Sequence, residues 1–467
     1  MTKQIHPGSW GLEVNGKGEM EVAGRNTVAL AREFQTPLHI LNANRLEDTA
    51  IQFRTSAESD YPGKVSVHYP FKCNAVPAVV QILHRAGLKA EVMTEFEFEL
   101  ALRLGFKTGE MIVNGPCKTE NFLKKCIELP VGLLIIDSID ELKNCIQLIN
   151  DMGRGIDVLL RVNPDYVPKG LNQGSATGSR KGCAFGLDLK GEEVQEAFRL
   201  IEKEPYIHFR GFHFHIGTGI RAPQDYSNAL RCLPMLISQT KTAGLDISVL
   251  DVGGGFASVT TRELSTREML IYQGLGKLPT GYPDDPPPTF SDFTREISQT
   301  VQKYFPSNEL PELIYEPGRC IVSPNHLLLL TIHRIKDRPG VGKWLIADGG
   351  LGTVTLPTFY EYHEIFLCND VNRPRNEKVS IIGPACFAGD IIYRNKWMPA
   401  VQPGEVIAIM DSGAYFIALE SSFGFPRPAI ISVDKNDVRI IRKRETFEEM
   451  VSRDEFPEPK RYQEVRL

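Results

Sequence analysis

Lys72 is the residue whose position most directly suggests chemistry. It closes a β-rich run, 65–69, within the stretch HYPFKCN at 68–74. A lysine amine at the end of an apolar strand can form a Schiff base, because its pKa is easily lowered in such surroundings. The alternative is a lysine that extends its ammonium group from the strand end into solvent. The residue alone leaves both interpretations open.

Two further runs end in groups that could hold a ring and a phosphate. His213 and His215 alternate with phenylalanines, so both point to one face of a strand. A flat imidazole suits stacking on a cofactor ring, and we expect this of His215 and a satisfied core position for His213. Because no carboxylate completes a ligand set nearby in the sequence, we expect no metal site. The glycines at 253–255 could surround a phosphate with N–H groups or simply form a tight turn.

Glu316 follows the last of these runs, in the stretch EPGR at 316–319. A carboxylate there could bond a ring nitrogen and keep it protonated. The alternative is a salt bridge with Arg319 at the same strand end. Gly318 and Arg319 could add N–H donors to a phosphate site.

A second group of candidates lies about 70 residues or more further on. Cys386 and Asp390 fall in the stretch GPACFAGD at 383–390. A cysteine has a pKa of about 8.5, which suits a proton donor near neutral pH, although an inert thiol is the alternative. Tyr415 ends the stretch DSGAY at 411–415, and its hydroxyl could reach a phosphate.

The elements that must position these residues form two patterns. Eight short β-rich runs alternate with stretches of helical periodicity in the first two-thirds of the chain, at 65–69, 88–92, 111–113, 132–136, 156–162, 207–214, 247–252 and 312–315. This alternation predicts a closed (β/α)8 barrel, whose chemistry collects at the carboxyl ends of the strands. An open doubly wound sheet is the alternative, but no GxGxxG follows the first strand.

From about residue 325 onward, strands follow one another without helices between them. The runs lie at 327–335, 343–347, 378–382, 406–410, 429–433 and 438–442, with turn signals between them. This pattern predicts an antiparallel β domain. We therefore expect a barrel over 37–325 and a β-rich domain made of 1–36 and 326–467, which carries Cys386.

The amino-acid composition limits the kinds of partner and compartment that we expect for this protein. The 467 residues include 53 Lys+Arg and 58 Asp+Glu, and a net charge of −5 argues against a nucleic-acid partner. No apolar run reaches the roughly 18 residues of a membrane helix, and the first 24 residues lack the apolar core of a signal peptide. Nine cysteines, an odd number without a CxxC pair, favour free thiols in a reducing compartment. We expect a cytoplasmic protein that binds neither membrane nor nucleic acid.

Taken in order, these motifs resemble those of the fold-type III pyridoxal-phosphate decarboxylases. That group contains diaminopimelate, ornithine and arginine decarboxylases, and the diaminopimelate branch is the most similar. The resemblance runs from about residue 35 to 430. It implies a (β/α)8 barrel with a β domain, pyridoxal 5'-phosphate as cofactor, and a homodimer with shared active sites.

The resemblance also implies roles for individual residues. Lys72 would form the Schiff base and Cys386 of the partner subunit would return a proton to the substrate. The cofactor would be held by His215, Thr218, Gly254, Gly255, Glu316, Gly318, Arg319 and Tyr415. The substrate would be bound by Arg319, Tyr360, Phe387 and Asp390.

Two departures from the diaminopimelate pattern concern the substrate. Phe387 stands directly after the cysteine, where diaminopimelate enzymes carry Glu. Leu356 stands where they carry an arginine that binds a distal carboxylate. We therefore expect meso-diaminopimelate to be a poor substrate, and a diamino acid such as ornithine or lysine, D-configured or conjugated forms included, to be a better one.

Two other functions are compatible with parts of the pattern. An amino-acid racemase on the same barrel would need a second base opposite Lys72, and the 386–390 loop favours decarboxylation instead. A non-catalytic homologue that regulates a true decarboxylase typically lacks the lysine or the cysteine, and this sequence has both.

Overall fold

The computed structural model describes residues 6–171, 176–279, 288–355 and 360–456. Its strands are, in chain order, β1 (Leu12–Val14), β2 (Met20–Val22), β3 (Arg25–Asn26), β4 (Leu38–Asn42), β5 (Val65–Pro70), β6 (Lys89–Val92), β7 (Met111–Val113), β8 (Leu133–Ile136), β9 (Ile156–Asn163), β10 (Leu187–Asp188), β11 (Ile207–His213), β12 (Val249–Asp251), β13 (Arg262–Glu263), β14 (Glu312–Tyr315), β15 (His326–Arg338), β16 (Gly342–Ala347), β17 (Glu361–Tyr362), β18 (Ile365–Leu367), β19 (Glu377–Ile382), β20 (Ile391–Met398), β21 (Val406–Met410), β22 (Ala429–Val433) and β23 (Val438–Arg442).

The helices that accompany these strands are α1 (Thr27–Phe34), α2 (Ala43–Asp60), α3 (Pro77–Arg85), α4 (Glu95–Arg103), α5 (Glu120–Glu128), α6 (Ile139–Met152), α7 (Glu193–Ile201), α8 (Gln224–Ala229), α9 (Leu233–Thr242), α10 (Thr266–Leu275), α11 (Phe290–Tyr304), α12 (Arg319–Val322) and α13 (Phe447–Met450). Among the residues that the structure describes, no helix is long and apolar enough to span a membrane.

The eight predicted barrel strands are confirmed as a closed parallel sheet. Their order around the barrel is β9, β11, β12, β14, β5, β6, β7 and β8, and β8 pairs with β9 to close it. All of these pairs are parallel, so every strand ends at the same rim. That rim is where the chemistry-bearing residues of the barrel are brought together.

The N-terminal cap of α4 brings one carboxylate, that of Glu97, to this rim. Thr94 follows β6 and caps the N-terminus of α4, where its side chain accepts a hydrogen bond from Glu97 N. The Glu97 side chain turns back and accepts from Met93 N at 2.8 Å. Burial raises the pKa of Glu97 to about 7. Acidic side chains at helix N-termini therefore extend the charged surroundings of Lys72.

The second domain is a mostly antiparallel sheet, as predicted. Its strand order is β20, β19, β16, β15, β4, β22 and β23, and β21 also pairs with β15 and with β18. The β16–β19 and β22–β4 pairs are parallel. Strand β15 spans 13 residues and joins the two halves of the sheet.

Strand β4 belongs to this sheet and not to the barrel. It pairs with β15 and β22, so the chain enters the barrel after Asn42 and not at the predicted boundary of 37. Leu38–Asn42 is a fully buried five-residue strand, and its two partners lie almost 300 and almost 400 residues away along the chain. Local sequence does not identify such a partner.

The two domains meet beside Lys72. Asn74 Nδ2 donates to the carbonyl oxygen of Gly413 at 3.0 Å, and Tyr415 N donates to the carbonyl oxygen of Cys73 at 3.0 Å. Apolar residues of β-domain segments, including Ala414 and Ile430, belong to the same buried core as the barrel. The junction therefore fixes residues 411–415 against the turn that carries Lys72.

Candidate active site

Lys72 lies at the carboxyl end of β5, in a short helical turn over Phe71–Cys73. Its Nζ atom lies 3.1 and 3.0 Å from Oε1 and Oε2 of Glu91, a buried residue of β6. Burial alone would lower the pKa of the Lys72 ammonium group, but the charges of Glu91 and Glu316 outweigh it and raise the pKa. The expected lowering is therefore wrong for this arrangement, because the fold places a carboxylate against the amine.

Glu316 follows β14 and is buried together with Asp251 and His213. One oxygen or nitrogen atom from each of the three lies within 4.8 Å of the others, and His213 Nε2 is 3.6 Å from Glu316 Oε1. Burial raises the pKa of both carboxyl groups, and the charge of Glu316 raises that of Asp251 further, whereas Lys72 and Arg161 lower that of Glu316. Glu316 is therefore the member of the pair that ionises more readily, which suits a partner for a protonated ring nitrogen.

His213 has carboxylate neighbours in the fold that the sequence does not show. The sequence shows no carboxylate close to that histidine, but β12 and β14 follow β11 in the barrel and bring Asp251 and Glu316 to it. The three atoms have a spacing that a metal ion could also use. Burial lowers the pKa of His213, so its ring is neutral near pH 7.

His215 and the glycines at 253–255 lie against each other. Gly254 N donates to His215 Nδ1 at 3.3 Å. A Cβ atom at Gly254 would lie 2.3 Å from the carbonyl oxygen of Glu316, and one at Gly255 would lie 2.2 Å from that of Gly217. Glycine is required here because three rim loops cross at backbone distance. Thr218 lies half-buried on the same loop as His215.

Arg319 is paired with Glu361 and not with Glu316. Its Nη1 atom lies 2.6 Å from Glu361 Oε1, and its guanidinium carbon lies 4.9 Å from the centre of the Tyr415 ring. Glu361 Oε2 in turn lies 3.1 Å from His363 Nε2, while His363 Nδ1 donates to the carbonyl oxygen of Met410 at 2.9 Å. The alternative of a Glu316–Arg319 salt bridge is therefore replaced by a buried Arg–Glu–His series that reaches into the β domain.

Gly318 and Tyr360 complete the rim. A Cβ atom at Gly318 would lie 2.9 Å from Pro70 Cγ, so glycine lets the Arg319 turn pack on the Lys72 turn. The carbonyl oxygen of Tyr360 accepts a hydrogen bond from Leu264 N at 2.7 Å. Burial raises the pKa of the Tyr360 hydroxyl to about 12, and the charge of Glu361 adds to the effect.

The Cys386 loop is separate from this rim cluster. Cys386 is exposed, and Phe387 is 51% exposed with its ring centre 5.8 Å from that of Phe423. Asp390 is buried, and its Oδ1 and Oδ2 accept from Leu351 N at 2.6 Å and Ala385 N at 2.8 Å. These bonds hold the loop on the β domain, and the substrate contact expected of Asp390 stays a prediction.

The structure thus brings together most of the residues that the sequence singles out. The rim cluster comprises Lys72, His215, Thr218, Gly254, Gly255, Glu316, Gly318, Arg319, Tyr360 and Tyr415, and the loop carries Cys386, Phe387 and Asp390. Leu356 lies outside the described residues.

Sequence reasoning missed the partners of the predicted residues. Glu91 holds Lys72 and Glu361 holds Arg319, yet each stands in an otherwise ordinary strand. Arg161 lies near the end of β9. Its Nη1 atom is 3.4 Å from Asp137 Oδ1, and its guanidinium carbon is 4.5 Å from the centre of the Phe185 ring. A carboxylate or guanidinium within a buried strand is the signal that could have identified all three, because such groups are rarely buried without a partner.

The rim fits a pyridoxal phosphate group. It offers an amine at Lys72, a carboxylate at Glu316 and a neutral imidazole at His215. The buried Nε atom of Arg319 has no hydrogen-bond partner within the described part of the chain, which suits an incoming anion.

Comparison with known proteins agrees with this assignment. Residues 47–323 match the family model of the pyridoxal-dependent decarboxylase pyridoxal-binding domain, and residues 320–413 match the C-terminal sheet domain of the same enzymes. The chain is 29% identical over 445 residues to a diaminopimelate decarboxylase of Methanocaldococcus jannaschii, covering 94% of this chain and 96% of that one. It is 26% identical over 452 residues to that of Bacillus subtilis, covering 94% and 96%.

A solved structure supports the fold as well. The crystal structure of the M. jannaschii diaminopimelate decarboxylase in co-complex with L-lysine superposes with a TM-score of 0.84 at 28% identity, covering 96% of this chain and 98% of that one. The first family model alone spans more than half of the sequence. With the Lys72, Glu316 and Arg319 geometry in place, the chain belongs to the pyridoxal-dependent decarboxylases, lyases that use pyridoxal 5'-phosphate to decarboxylate amino acids.

Proposed function

We propose that this decarboxylase removes the α-carboxylate of a diamino acid such as ornithine or lysine, in a homodimer with shared active sites. The proposal includes D-configured and conjugated forms of these amino acids. The observation that carries it is the rim cluster, in which buried carboxylates, Glu91 and Glu361, pair with Lys72 and Arg319. Glu316 lies in the same cluster beside Asp251 and His213.

The residues of the rim have separate tasks. Lys72 is the amine that attaches the cofactor, and Glu91 orients it. Glu316 would keep the ring nitrogen of the cofactor protonated, and His215 would lie against its ring. The residues that would hold the phosphate are Thr218, Gly254, Gly255, Gly318, Arg319 and Tyr415. When bound, pyridoxal phosphate accepts the electron pair that loss of CO2 leaves on the α carbon.

The last chemical step needs a proton at the α carbon. We assign it to the Sγ atom of Cys386 of the partner subunit, because this thiol is exposed and its loop contacts the β domain of its own chain. An exposed aromatic pair beside it, Phe387 and Phe423, supports contact with a second copy.

The distal part of the substrate distinguishes this chain from the diaminopimelate pattern. Phe387 presents a ring where that pattern has a carboxylate, and Leu356 replaces the expected arginine. A distal carboxylate would lose its cation, and an unmatched polar group is costly to bury. A related diaminopimelate decarboxylase was crystallised with L-lysine, so a diamino acid of this length fits the site of that relative.

A screen for CO2 release tests this function. The holoenzyme is offered L- and D-lysine, L- and D-ornithine, L- and D-arginine and meso-diaminopimelate under equal conditions. Fastest turnover of a lysine or ornithine supports the proposal, and the better configuration identifies the stereochemistry. Fastest turnover of arginine or of meso-diaminopimelate, or no CO2 release from any of these compounds, would contradict it.

A further inference from the structure

Glu263 is a buried carboxylate at the rim that the roles assigned so far do not use. It is the second residue of β13, a two-residue strand that pairs antiparallel with β17. Its side chain is partly covered, and its Oε1 atom is buried without a hydrogen-bond partner within the described part of the chain. A native structure rarely leaves such an atom unmatched unless a ligand completes it.

The strand pairing places Glu263 beside the Arg319 series. Glu263 stands directly opposite Glu361, so both side chains project from the same face of the β13–β17 pair. Like charges in directly opposite positions are destabilising. Arg319 neutralises Glu361 at 2.6 Å, whereas no salt bridge joins Glu263 to a cation among the residues that the structure describes.

The same side chain reaches the loop that carries His215 and Thr218. A Cβ atom at Gly219 would lie 2.2 Å from Glu263 Oε1, so the carboxylate occupies the space that a side chain at 219 would fill. The next residue, Leu264, is bonded through its backbone to Tyr360. Glu263 therefore stands between the predicted cofactor loop and the predicted substrate residue Tyr360.

The pKa of Glu263 is consistent with a carboxylate whose charge Arg319 compensates only in part. Burial raises the pKa of Glu263 to about 8, and Glu361 raises it further while Arg319 lowers it only in part. A bound cation would stabilise the ionised form of this group. A primary ammonium with three N–H donors suits a carboxylate that has one unmatched oxygen.

We propose that Glu263 binds the distal ammonium group of the diamino substrate and so takes the specificity role of the acid that Phe387 replaces. This inference rests on the proposed function, since it requires a substrate with a second amine. Arg319 and Glu361 position the Glu263 carboxylate, and Gly219 leaves it room.

The test compares binding of a diamine and a monoamine to the holoenzyme. Isothermal titration calorimetry measures Kd for 1,5-diaminopentane and for 1-aminopentane, which lacks only the distal amine. In the wild-type protein we expect the diamine to bind at least about tenfold more tightly, the scale of one charge-assisted hydrogen bond. In Glu263→Gln this ratio should fall to about one while Kd for the monoamine stays within about twofold.

Two further variants keep the result interpretable. Glu202→Gln changes an exposed residue at the end of α7 in the same chemical way and should keep the wild-type ratio. Glu263→Asp retains the charge and should keep part of the preference, which serves as the measurement if Glu263→Gln does not fold. A diamine preference that survives in Glu263→Gln would overturn the role of Glu263. If Glu263→Gln does not fold, an unaltered preference in Glu263→Asp would overturn it in the same way. Either result would leave the proposed function intact. A wild-type protein that binds both amines equally and releases no CO2 from lysine or ornithine would instead overturn the proposed function.

Discussion

The barrel rim and the Cys386 loop carry the two halves of the proposed chemistry in opposite surroundings. At the rim, the charges of Lys72 and Arg319 are each paired with a buried carboxylate, Glu91 and Glu361 respectively. On the loop, Cys386 and Phe387 are exposed, and only Asp390 is buried and fully bonded. The rim is organised within one chain, whereas the loop presents its thiol outward.

This difference indicates what each half must do. The rim must hold charges whose positions decide how a cofactor and an α-amino group sit, and a low-dielectric interior with fixed partners does this well. A proton donor need only reach one atom, so it can come from another subunit on a loop held by its own domain. Five predictions test this division, from the largest effect to the smallest.

The largest effect is expected from Lys72→Ala. Removing the amine leaves Glu91 without its cation and removes the point of attachment, so kcat should fall by at least ~10³-fold, the scale seen when a nucleophile is lost. Borohydride reduction of the wild-type holoenzyme followed by peptide mapping should place the label on Lys72. A label on a different lysine would contradict the assignment of the rim.

Cys386→Ala should have the next largest effect. Loss of a general acid lowers kcat by about 10²- to 10⁴-fold, while KM and the absorbance of the bound cofactor stay near wild type because the rim is unchanged. Ser at the same position is the conservative comparison. If kcat changes by less than about twofold, the thiol is an inert surface group.

Mixing the two inactive proteins then tests whether the halves come from different subunits. With free exchange of equal amounts, half of the dimers pair one Lys72→Ala chain with one Cys386→Ala chain, and each of these has one intact site. Activity should return to about a quarter of the wild-type level per site. Lack of recovery after proven exchange would place both halves within one chain.

The barrel itself follows from local sequence. Each of its eight strands is a short run rich in β-formers, and the regular alternation with helices leaves few other topologies. Residues that end these strands must meet at one rim, so Lys72, Glu316 and the glycines could be grouped before any coordinates. The role of each residue follows from the resemblance to a family whose motifs occur in the same order, and not from spacing alone.

The partners could not be predicted in this way, because they depend on contacts between distant segments. Glu361 reaches Arg319 only because β17 folds back from the β domain onto β13. Strand β4 falls inside the predicted barrel range of 37–325 but belongs to the β domain, because its neighbours lie on the distant strands β15 and β22. Sequence periodicity identifies which residues are buried but not which distant residues they contact.

The fourth prediction concerns how the site distinguishes meso-diaminopimelate from lysine and ornithine. Meso-diaminopimelate should be poorer than the best lysine or ornithine by at least tenfold in kcat/KM, because its distal carboxylate lacks a cation near Phe387. Phe387→Glu should not restore kcat/KM for meso-diaminopimelate relative to lysine, because a carboxylate offers an acceptor for the distal amine of both compounds but no cation for the distal carboxylate. If meso-diaminopimelate is the best substrate by tenfold or more, the interpretation of Phe387 and Leu356 is wrong.

The smallest effect is expected from Asp390→Asn, which separates two possible tasks of that residue. Both of its oxygens accept backbone N–H groups, from Leu351 and Ala385, and the amide can replace only one acceptor. We expect a loss of about 1–3 kcal/mol in the free energy of unfolding and a decrease in kcat of a few-fold, because the thiol of Cys386 is less well held. KM should change by less than about twofold if Asp390 only supports the loop, whereas a residue that binds substrate would raise KM and leave the unfolding free energy nearly unchanged. Denaturant unfolding and steady-state kinetics on the same preparation therefore decide whether Asp390 belongs to the loop or to the substrate site.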